Sequence, residues 1–568
     1  MSKPTELIPA LPGKPGAWIT RHHRVLFFGG WLLLALLQAR YTELLDDEAY
    51  YWVYSRFPAW GYFDHPPMIA LMIRAGYFFF HNELGVRLGA ALLNLGTLLI
   101  LEHLTGKARP FLFYGIAASL AVLQLAGIFA VPDSPLIFFT ACFFWAYRRF
   151  DQQADWPALL ALCLASLCLL YSKYHGVLVI FFTLLSNLRL LRDYRIYLAG
   201  LLVLAGLAPH LYWQYLHGWP SLQYHLVERN ASIYQFSFTT EYILGQLLIA
   251  GPLAGGLLIP AALLQKPADP TQRAMYWTLT GIYLFFLAAT LRGRVEPNWT
   301  APLVVPLVVL SYDFLQSRRN WRRILYPLLA ATLVLTLAAR ILMVADLVPL
   351  PFIRERFHSW KQEGPALLGA SRGLPVVFED SYQQASRYWF YTGIPGYGIT
   401  GYRERRTNFD FWPVEDSLLG RPVCLMTRGA HAGFSDSVET LLGEVWYRYD
   451  TSFASFARVR LACQPRRLVV RAGDTTGLVL QATLPQAHAA FLQSHPTRMP
   501  VLRAGLFGKS GWIKDLGYPG TLSWQGEPVH WSFKPDLVPG HYFLVLALAG
   551  DDGLVTHNSL RIPLEVTP

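Results

Sequence analysis

The stretch VLFFGGWLLLALLQARYTELLDDEAYYW, residues 25–52, decides the fold. It opens with an apolar run from about Val25, and a run of roughly 17 to 25 such residues crosses a bilayer as a helix. No small-residue cleavage site follows, so we expect a first membrane span rather than a cleaved signal peptide. Three consecutive carboxylates, Asp46, Asp47 and Glu48, come directly after it.

Similar apolar runs recur outward from this stretch to about residue 345 and then stop. The whole chain is 53% hydrophobic and 15% charged, with a mean hydropathy of +0.30, whereas soluble chains carry roughly 25% charged residues. We therefore expect an α-helical polytopic membrane domain over residues 1–345. It would have about eleven spans, centred near residues 33, 94, 120, 141, 164, 183, 206, 253, 283, 307 and 335.

Charge predicts the orientation of these spans. If the N-terminus is cytoplasmic, every cytoplasmic loop is basic, as the positive-inside rule requires. Those loops contain Lys107 and Arg109; Arg148 and Arg149; Arg189, Arg192 and Arg195; Lys266 and Arg273; and Arg318, Arg319, Arg322 and Arg323. An odd number of spans then places the C-terminal region on the side of the membrane opposite the cytoplasm.

The formal net charge of +11 does not indicate a nucleic-acid partner. A nucleic-acid binder collects Lys and Arg on one soluble face. Here many of them lie in short loops between apolar runs, where they set membrane orientation.

The chain changes character after residue 345. LPVVFED (374–380), SYQQASRYWFYTG (381–393) and RPVCLMT (421–427) alternate as strand, helix and strand, which predicts an α/β unit over residues 346–465. Short apolar runs between Gly and Pro turns predict a β-sandwich over residues 466–568. Cys424 and Cys463 lie in strand-like segments, and an oxidising compartment would allow either a disulfide or two thiols.

The longest outer loop, residues 41–83, is rich in aromatic residues and has helical patches. We expect these to lie along the membrane interface as amphipathic helices. The carboxylates at 46–48 are costly beside hydrocarbon unless they are solvated, paired or metal-bound. They fit a catalytic site, and they also fit a solvated helix start capped by Asp46.

The same loop continues with GYFDHPPM, residues 61–68. Pro66 and Pro67 forbid helix at that point and hold Asp64 and His65 in extended backbone. Two acidic groups in one outer loop would supply a carboxylate base together with a metal or phosphate site. A proline-stiffened turn with solvated side chains explains the same residues.

Together, DDEAYYW and GYFDHPPM resemble the first outer loop of the GT-C glycosyltransferases of the protein O-mannosyltransferase and lipid A aminoarabinose transferase superfamily. Further segments agree with this resemblance over roughly residues 25–395: SKYHG (172–176), HLYWQYLHGWPS (210–221), GRVEPNWTAP (293–302) and SYQQASRYWFYTG (381–393). The resemblance implies a GT-C fold and a sugar donor linked to polyprenyl phosphate.

Roles carry over from this resemblance position by position. Asp47 fills the position of the implied catalytic aspartate, with Asp46 and Glu48 as further catalytic candidates. Asp64 keeps the carboxylate that is implied to bind a divalent metal in the aminoarabinose branch, where the motif resembles Phe-Glu-Lys-Pro-Pro. Here His65 replaces the lysine implied to neutralise the carrier phosphate, so the same substrate does not follow.

Such a transfer needs positive charge for the leaving phosphate. Candidates for donor binding are His65, Lys173, and Arg294 with Asn298 in its short loop, although outer-face Lys and Arg also snorkel to headgroups. His225 resembles the histidine that binds metal in the corresponding loop, and it also fits a structural histidine. Mg²⁺ or Mn²⁺ would suit Asp64 alone, and Zn²⁺ would suit Asp64 with His225.

The sequence thus predicts a membrane glycosyltransferase that takes a hexose or pentose from a polyprenyl-phosphate carrier. Its membrane-lipid, glycan or protein acceptor in the envelope, including lipopolysaccharide, stays open. A transporter or flippase for the same lipid is one alternative, but it would place ionisable residues at mid-membrane depth. A non-catalytic envelope scaffold is another, and it leaves the two acidic motifs unexplained.

Overall fold

The structure is a computed structural model that describes residues 15–224, 233–428, 433–508, 511–517, 519–521, 527–551 and 553–568. Helices dominate as far as Val344. They are α1 (Pro15–Tyr41), α2 (Asp46–Arg56), α3 (Met68–Phe79), α4 (Glu83–Leu104), α5 (Pro110–Ser119), α6 (Ala121–Ala126), α7 (Asp133–Gln153), α8 (Trp156–Ser172), α9 (Gly176–Ser186), α10 (Tyr194–Leu216), α11 (Pro220–Gln223), α12 (Phe236–Ile249), α13 (Gly255–Leu264), α14 (Pro270–Ala289), α15 (Val304–Gln316) and α16 (Arg319–Val344). Two 3₁₀ helices, Leu188–Arg192 and Pro297–Leu303, complete this part.

Within the described residues, four helical stretches are long and apolar enough to cross a membrane by themselves: α4, α10, Pro297–Gln316 and α16. The described part of α1, followed after a bend of 86° by α2, would be a fifth. Each predicted centre lies in a helix or at a break between two. The breaks have local causes, because Leu120 is extended between α5 and α6 and Gly251, between α12 and α13, has a φ of 110°. The number of spans stays a prediction.

The apolar helices divide into lipid-facing and internal ones. Protein buries only 11% of the most apolar stretch of α16 and only 17% of the most apolar stretch of α10. In Pro297–Gln316 the buried share is 83%. An apolar helix that is left uncovered by protein needs hydrocarbon around it. We therefore place α10 and α16 against lipid and α15 at the centre of the helical domain.

The rest of the chain mixes helices and strands. The helices are α17 (Pro351–Phe357), α18 (Trp360–Ser371), α19 (Tyr382–Thr392) and α20 (Gln486–Ser494), with short 3₁₀ turns between strands. The strands are β1 (Val376–Glu379), β2 (Gly396–Ile399), β3 (Val423–Arg428), β4 (Asp436–Thr440), β5 (Gly443–Asp450), β6 (Arg460–Gln464), β7 (Leu468–Arg471), β8 (Thr476–Thr483), β9 (Val501–Gly508), β10 (Gly511–Asp515), β11 (Gly520–Thr521), β12 (Val529–Phe533), β13 (Gly540–Ala549), β14 (Val555–His557) and β15 (Ile562–Thr567).

The first sheet has the order β2-β1-β3-β5-β4, with β1 parallel to β2 and β3. The strand, helix and strand expected from the sequence are β1, α19 and β3. Gly393, with a φ of 75°, ends α19 in the left-handed conformation that glycine adopts without strain. This α/β unit therefore forms where the alternation predicted it.

Two further sheets form the β-sandwich. One runs β10-β9-β13-β15-β7 with β11 and β14 beside it, and the other runs β12-β8-β6. Their inner faces share one core, which includes Leu478, Leu544 and Leu564. Because β6 pairs with β8 from Arg460 onward, the sandwich begins before the expected boundary at residue 466.

Cys424 and Cys463 do not form a disulfide; both are thiols. Cys424 is fully buried in β3 of the α/β unit, whereas Cys463 lies in β6 of the sandwich. The two residues belong to different sheets, and each packs as a small apolar side chain.

The first outer loop forms helices, α2 and α3, as expected, and α2 is covered by protein. Every residue from Glu48 to Ser55 is buried. Aromatic side chains surround α2, and they pack in one core with residues of the α/β unit such as Trp360, Tyr388 and Trp412. The α/β unit therefore covers the acidic start of α2 and forms one wall of the site.

Candidate active site

The chain turns from α1 into α2 at the acidic stretch, and Asp46, Asp47 and Glu48 form the first turn of α2. Carboxylates are stabilised at this end of a helix by the unpaired backbone N–H groups. Glu48 also accepts a hydrogen bond from the Leu45 N–H at 3.0 Å. Successive helical residues point about 100° apart, so the three carboxylates face different surroundings.

Glu48 lies in a buried ion pair. Arg87 donates from Nε and Nη2 to the two carboxylate oxygens at 2.7 and 2.6 Å, and neither side chain is exposed. The Ala130 N–H donates to the same carboxylate at 2.8 Å. With both oxygens engaged and no solvent access, this geometry favours a structural role for Glu48, and its catalytic role stays a prediction.

Asp46 contacts the α/β unit. Its Oδ1 lies 3.0 Å from Nε of Arg387, a nearly buried side chain of α19, while half of the Asp46 side chain is exposed. This ion pair joins the start of α2 to α19. Asp46 therefore lies beside the candidate site as a contact between two parts of the chain.

Asp47 is accessible like Asp46, but it contacts a tyrosine rather than an arginine. Its side chain is exposed, and the Tyr382 hydroxyl donates to Oδ1 across 3.4 Å. The pKa of Asp47 is raised to about 6, mainly because the surrounding protein excludes much of the water. The negative charges of Asp46 and Asp64 contribute to this rise, and the positive charge of Arg405 opposes it. An accessible carboxylate with a pKa near neutrality is suited to general-base catalysis.

Asp64 lies across the site, buried and paired with Arg405. The Arg405 guanidinium donates to Oδ1, and the hydroxyls of Tyr54 and Tyr50 donate to Oδ2 at 3.1 and 3.3 Å. Burial alone would raise the pKa of Asp64, but Arg405, His65 and these hydrogen bonds hold it below its usual value. Asp64 is therefore a fixed negative charge.

Arg405 connects Asp64 to Asp47. Its Nη2 donates to the Tyr382 hydroxyl at 3.1 Å, and that hydroxyl donates in turn to Asp47. The guanidinium also lies over the rings of Tyr224 and Tyr382, with 5.5 and 5.2 Å from Cζ to the centroids. The described environment of Asp64 thus contains a guanidinium where a metal was expected.

The described donors do not fit a metal ion at Asp64. Among the residues for which coordinates are described, no group of three His, Cys, Asp or Glu side chains could hold an ion. Both oxygens of Asp64 are taken by Arg405 and two tyrosines. His225, the expected second ligand, falls outside the described residues.

A second polar cluster joins three outer loops. Lys173 Nζ lies 2.8 Å from Asp133 Oδ1, and Asn298 Nδ2 donates to Asp133 Oδ2 at 2.9 Å. Lys173 and Asp133 are both buried. Tyr51 lies near enough to both clusters to be affected by their charges. Burial is the main cause that raises the pKa of its hydroxyl, and the negative charges of Asp47, Asp64 and Asp133 contribute to the rise.

The other predicted donor-binding residues lie apart from each other. The His65 ring packs edge-on against Tyr51, 5.5 Å between centroids, so it lies beside the Asp64 cluster. Arg294 lies 3.1 Å from Glu241, and both side chains are at least half exposed. The structure thus brings His65 close to the acidic cluster and leaves Arg294 at an exposed edge.

Sequence reasoning missed the contribution of the α/β unit. Asn408 accepts from the Phe63 N–H with its side chain and donates its own N–H to the Tyr50 hydroxyl, both at 2.6 Å. With Arg405 and Tyr382, it fixes the GYFDHPPM turn against α2. These residues lie about 300 or more positions from the first loop. Tyr382 belongs to the SYQQASRYWFYTG segment, whereas no local pattern marks Arg405 or Asn408.

Comparison with known proteins finds similarity to glycosyltransferases. Residues 64–213 match the family of dolichyl-phosphate-mannose-protein mannosyltransferases. The lipid A galacturonosyltransferase RgtD of Rhizobium johnstonii is 24% identical over 311 residues. That match covers 50% of this chain and 63% of the relative, so less than two thirds of the relative's length is spanned.

Two solved structures share the fold. ArnT from Cupriavidus metallidurans in the apo state matches with a TM-score of 0.57 and 14% identity, over 75% of this chain and 98% of that one. The same protein bound to undecaprenyl phosphate matches with a TM-score of 0.54 and 15% identity, over 76% and 98%. These matches confirm the resemblance predicted from the first outer loop.

Proposed function

We propose that this chain is a GT-C glycosyltransferase that transfers a sugar from a polyprenyl-phosphate carrier to an acceptor of the cell envelope. The reaction would take place on the periplasmic face of a bacterial inner membrane. Two relatives motivate the substrates: RgtD is named for lipid A, and ArnT has been seen with undecaprenyl phosphate. We extend a lipid-linked donor and an envelope acceptor to this chain as part of the proposal.

The observation that carries the proposal is the environment of Asp47. It is an accessible carboxylate with a pKa of about 6, held by Tyr382 at the mouth of a charged cluster. At neutral pH it is ionised and basic enough to take a proton.

In the proposed step, the acceptor hydroxyl oxygen attacks the anomeric carbon and its proton moves to Asp47. The bond from that carbon to the carrier phosphate breaks, and both electrons leave with the phosphate. The transition state is oxocarbenium-like, so positive charge near the departing oxygen stabilises it. The phosphate is already a fair leaving group, and one basic group together with one cationic side suffices.

For the cationic side we propose Lys173 and Asn298, which Asp133 holds together, with His65 next to Tyr51. Arg294 would meet the phosphate only as it enters, since it lies in an exposed pair with Glu241. We assign no step to a metal, because Arg405 already neutralises Asp64.

Mass spectrometry of the envelope tests the proposal. Lipids, glycans and proteins would be compared between cells that contain the active protein and cells that contain Asp47→Asn at equal abundance. We expect one class of molecule to lose a sugar in the variant. Asp436→Asn, an exposed carboxylate on β4, is the matched control and should leave the profile unchanged. Identical profiles for the active protein and Asp47→Asn would refute the proposal.

A further inference from the structure

A second cavity lies on the far side of Arg405, where the α/β unit meets the β-sandwich. It has a volume of about 190 Å³ and contains no residue of the Asp133 cluster among those that line it. The described residues around it are Tyr224, Tyr402, Arg403, Glu404, Arg405, Phe507, Val545, His557 and Arg561. Small-molecule sites commonly measure about 300–1,000 Å³, so this one suits a single sugar-sized group.

Three guanidinium groups line this cavity. Arg405 pairs with Asp64, and Arg403 is only loosely paired, 3.8 Å from Asp515, while it stacks over Trp512. Arg561 lies over two phenylalanine rings, and no Asp or Glu of the described chain is within 4 Å of its guanidinium nitrogens. Glu404 is the one acid among the lining residues, and it is exposed.

The buried histidine of the cavity reports the sign of the local field. Burial is the main cause that lowers the pKa of His557 to about 4, and the positive charges of Arg406 and Arg561 contribute to this shift. His557 is therefore neutral at pH 7 and does not add to the charge. An anion that enters would be attracted by the guanidinium groups, which suit phosphate and carboxylate groups because their N–H donors form a planar fork.

The remaining wall is aromatic and apolar. Tyr402, Phe507 and Val545 line it, all of them buried by their neighbours. Arg405 contributes to this cavity and also reaches Tyr382, whose hydroxyl donates to Asp47. A ligand held here would therefore be linked to the proposed base through two side chains, Arg405 and Tyr382.

From these contacts we propose that the cavity binds an anionic sugar group, phosphorylated or uronic, on the acceptor. The assignment of this sugar to the acceptor rests on the proposed function, whereas the binding of an anionic sugar by the cavity does not. The β-sandwich would then select acceptors through Arg561.

Direct binding to the full-length protein in detergent tests the site. The probes are glucose 1-phosphate, glucuronic acid and glucose, measured by saturation-transfer NMR, and inorganic phosphate, measured by its competition with glucose 1-phosphate. We expect the two anionic sugars to bind and glucose to bind at least tenfold more weakly. Arg561→Gln should weaken the anionic sugars at least tenfold and Arg561→Lys less. Arg471→Gln, at an exposed arginine of β7 in the same sandwich, should bind as the unmodified protein does.

Several results would overturn this inference. Equal binding of glucose, binding of inorganic phosphate as tight as that of glucose 1-phosphate, or unchanged binding in Arg561→Gln would each do so. Once an acceptor is known, Arg561→Gln should raise its KM and leave kcat and the donor KM unchanged. If binding depends on Arg561 but no sugar transfer occurs, the proposed function is refuted and the binding site stands. If transfer occurs with no dependence on Arg561, the binding site is refuted and the proposed function stands.

Discussion

Three consecutive carboxylates have three different environments because a helix turns about 100° per residue. Glu48 faces inward to Arg87, Asp46 faces α19, and Asp47 faces the space in front of Arg405 and Tyr382. The sequence predicted an acidic site at this position. It could not rank the three residues, because their surroundings come from α4, α19 and the segment that contains Arg405.

At this scale the raised pKa of Asp47 predicts a pH dependence. Only the ionised carboxylate accepts a proton, so kcat/KM should rise with pH and level off above a pKa of about 6. One unit below the pKa about a tenth of the carboxylate is ionised, so we expect roughly a tenfold loss at pH 5. Steady-state rates of the purified protein between pH 4.5 and 8 would measure it.

The Asp47→Asn variant controls for this profile. It keeps the shape but cannot take a proton, so turnover should fall by at least about 100-fold while the protein stays folded. The residual rate should lack the inflection near pH 6. An inflection that persists in Asp47→Asn would assign the titration to another group.

A second prediction concerns Arg405 and metal dependence. Because a guanidinium already neutralises Asp64, transfer should persist after exhaustive chelation. Arg405→Gln should reduce turnover by roughly 100-fold, a typical loss for one preorganised charged group, and Arg405→Lys should reduce it less. Activity assays with and without chelator would measure both effects.

The control for Arg405 is Arg467→Gln, an exposed arginine that pairs with Glu565 in the sandwich. It should have normal activity. If chelation abolished transfer and one divalent cation restored it, the expectation of a metal at Asp64 would return, and His225 would be the next residue to substitute.

At the scale of elements, α2 is fixed by charge as well as by packing. Arg87 of α4 donates to Glu48 and also to the carbonyls of Ala39 and Thr42, at 3.2 and 2.7 Å, where the chain turns out of α1. A buried arginine is costly unless it is paired and hydrogen-bonded. This ion pair therefore holds the bend that aims Asp47 into the site.

Glu48→Gln should accordingly destabilise the protein. Removing one partner leaves the Arg87 charge buried without its counter-charge, which costs about 3–5 kcal/mol in comparable pairs. Thermal unfolding of the detergent-solubilised protein would show a lower midpoint. The double variant Glu48→Met with Arg87→Met should recover part of the loss. A Glu48→Gln protein with normal stability and no activity would contradict the structural role and restore the catalytic one.

Element prediction succeeded where the signal was local. The prolines of GYFDHPPM indicated a turn, and the apolar alternation indicated β1, α19 and β3. It could not foresee that α2 is covered by other parts of the chain, because aromatic residues on all sides of a helix can face lipid or protein. Only the position of the α/β unit decides between them, and that unit follows about 300 residues later.

At the scale of the whole molecule, apolar runs predicted the helical half and its end near residue 345. They could not give the number of membrane spans. By length and composition, four or five of the described helical stretches are able to cross a membrane. Broken helices such as α12 and α13 keep an apolar composition whether they span or re-enter. The cavity lined by Arg403, Arg405 and Arg561 could not be predicted either, because its side chains come from three separate parts of the chain.

The last prediction is the orientation of the whole chain. Basic residues lie in the loops assigned to the cytoplasm, and the proposed reaction needs Asp47 and the α/β unit on the periplasmic side. In a background without the five native cysteines, His81→Cys and Ser435→Cys should react with an impermeant thiol reagent in intact spheroplasts. Both positions lie in described, accessible segments outside the apolar helices.

Asn320→Cys, at the basic start of α16, provides the matched inner control and should react only after permeabilisation. The two outer positions must agree with each other, because the α/β unit packs on α2 in one core and cannot lie on the opposite side of the membrane. Protection of both, with labelling of Asn320→Cys, would reverse the orientation. A periplasmic sugar transfer would then be excluded, because Asp47 would face the cytoplasm.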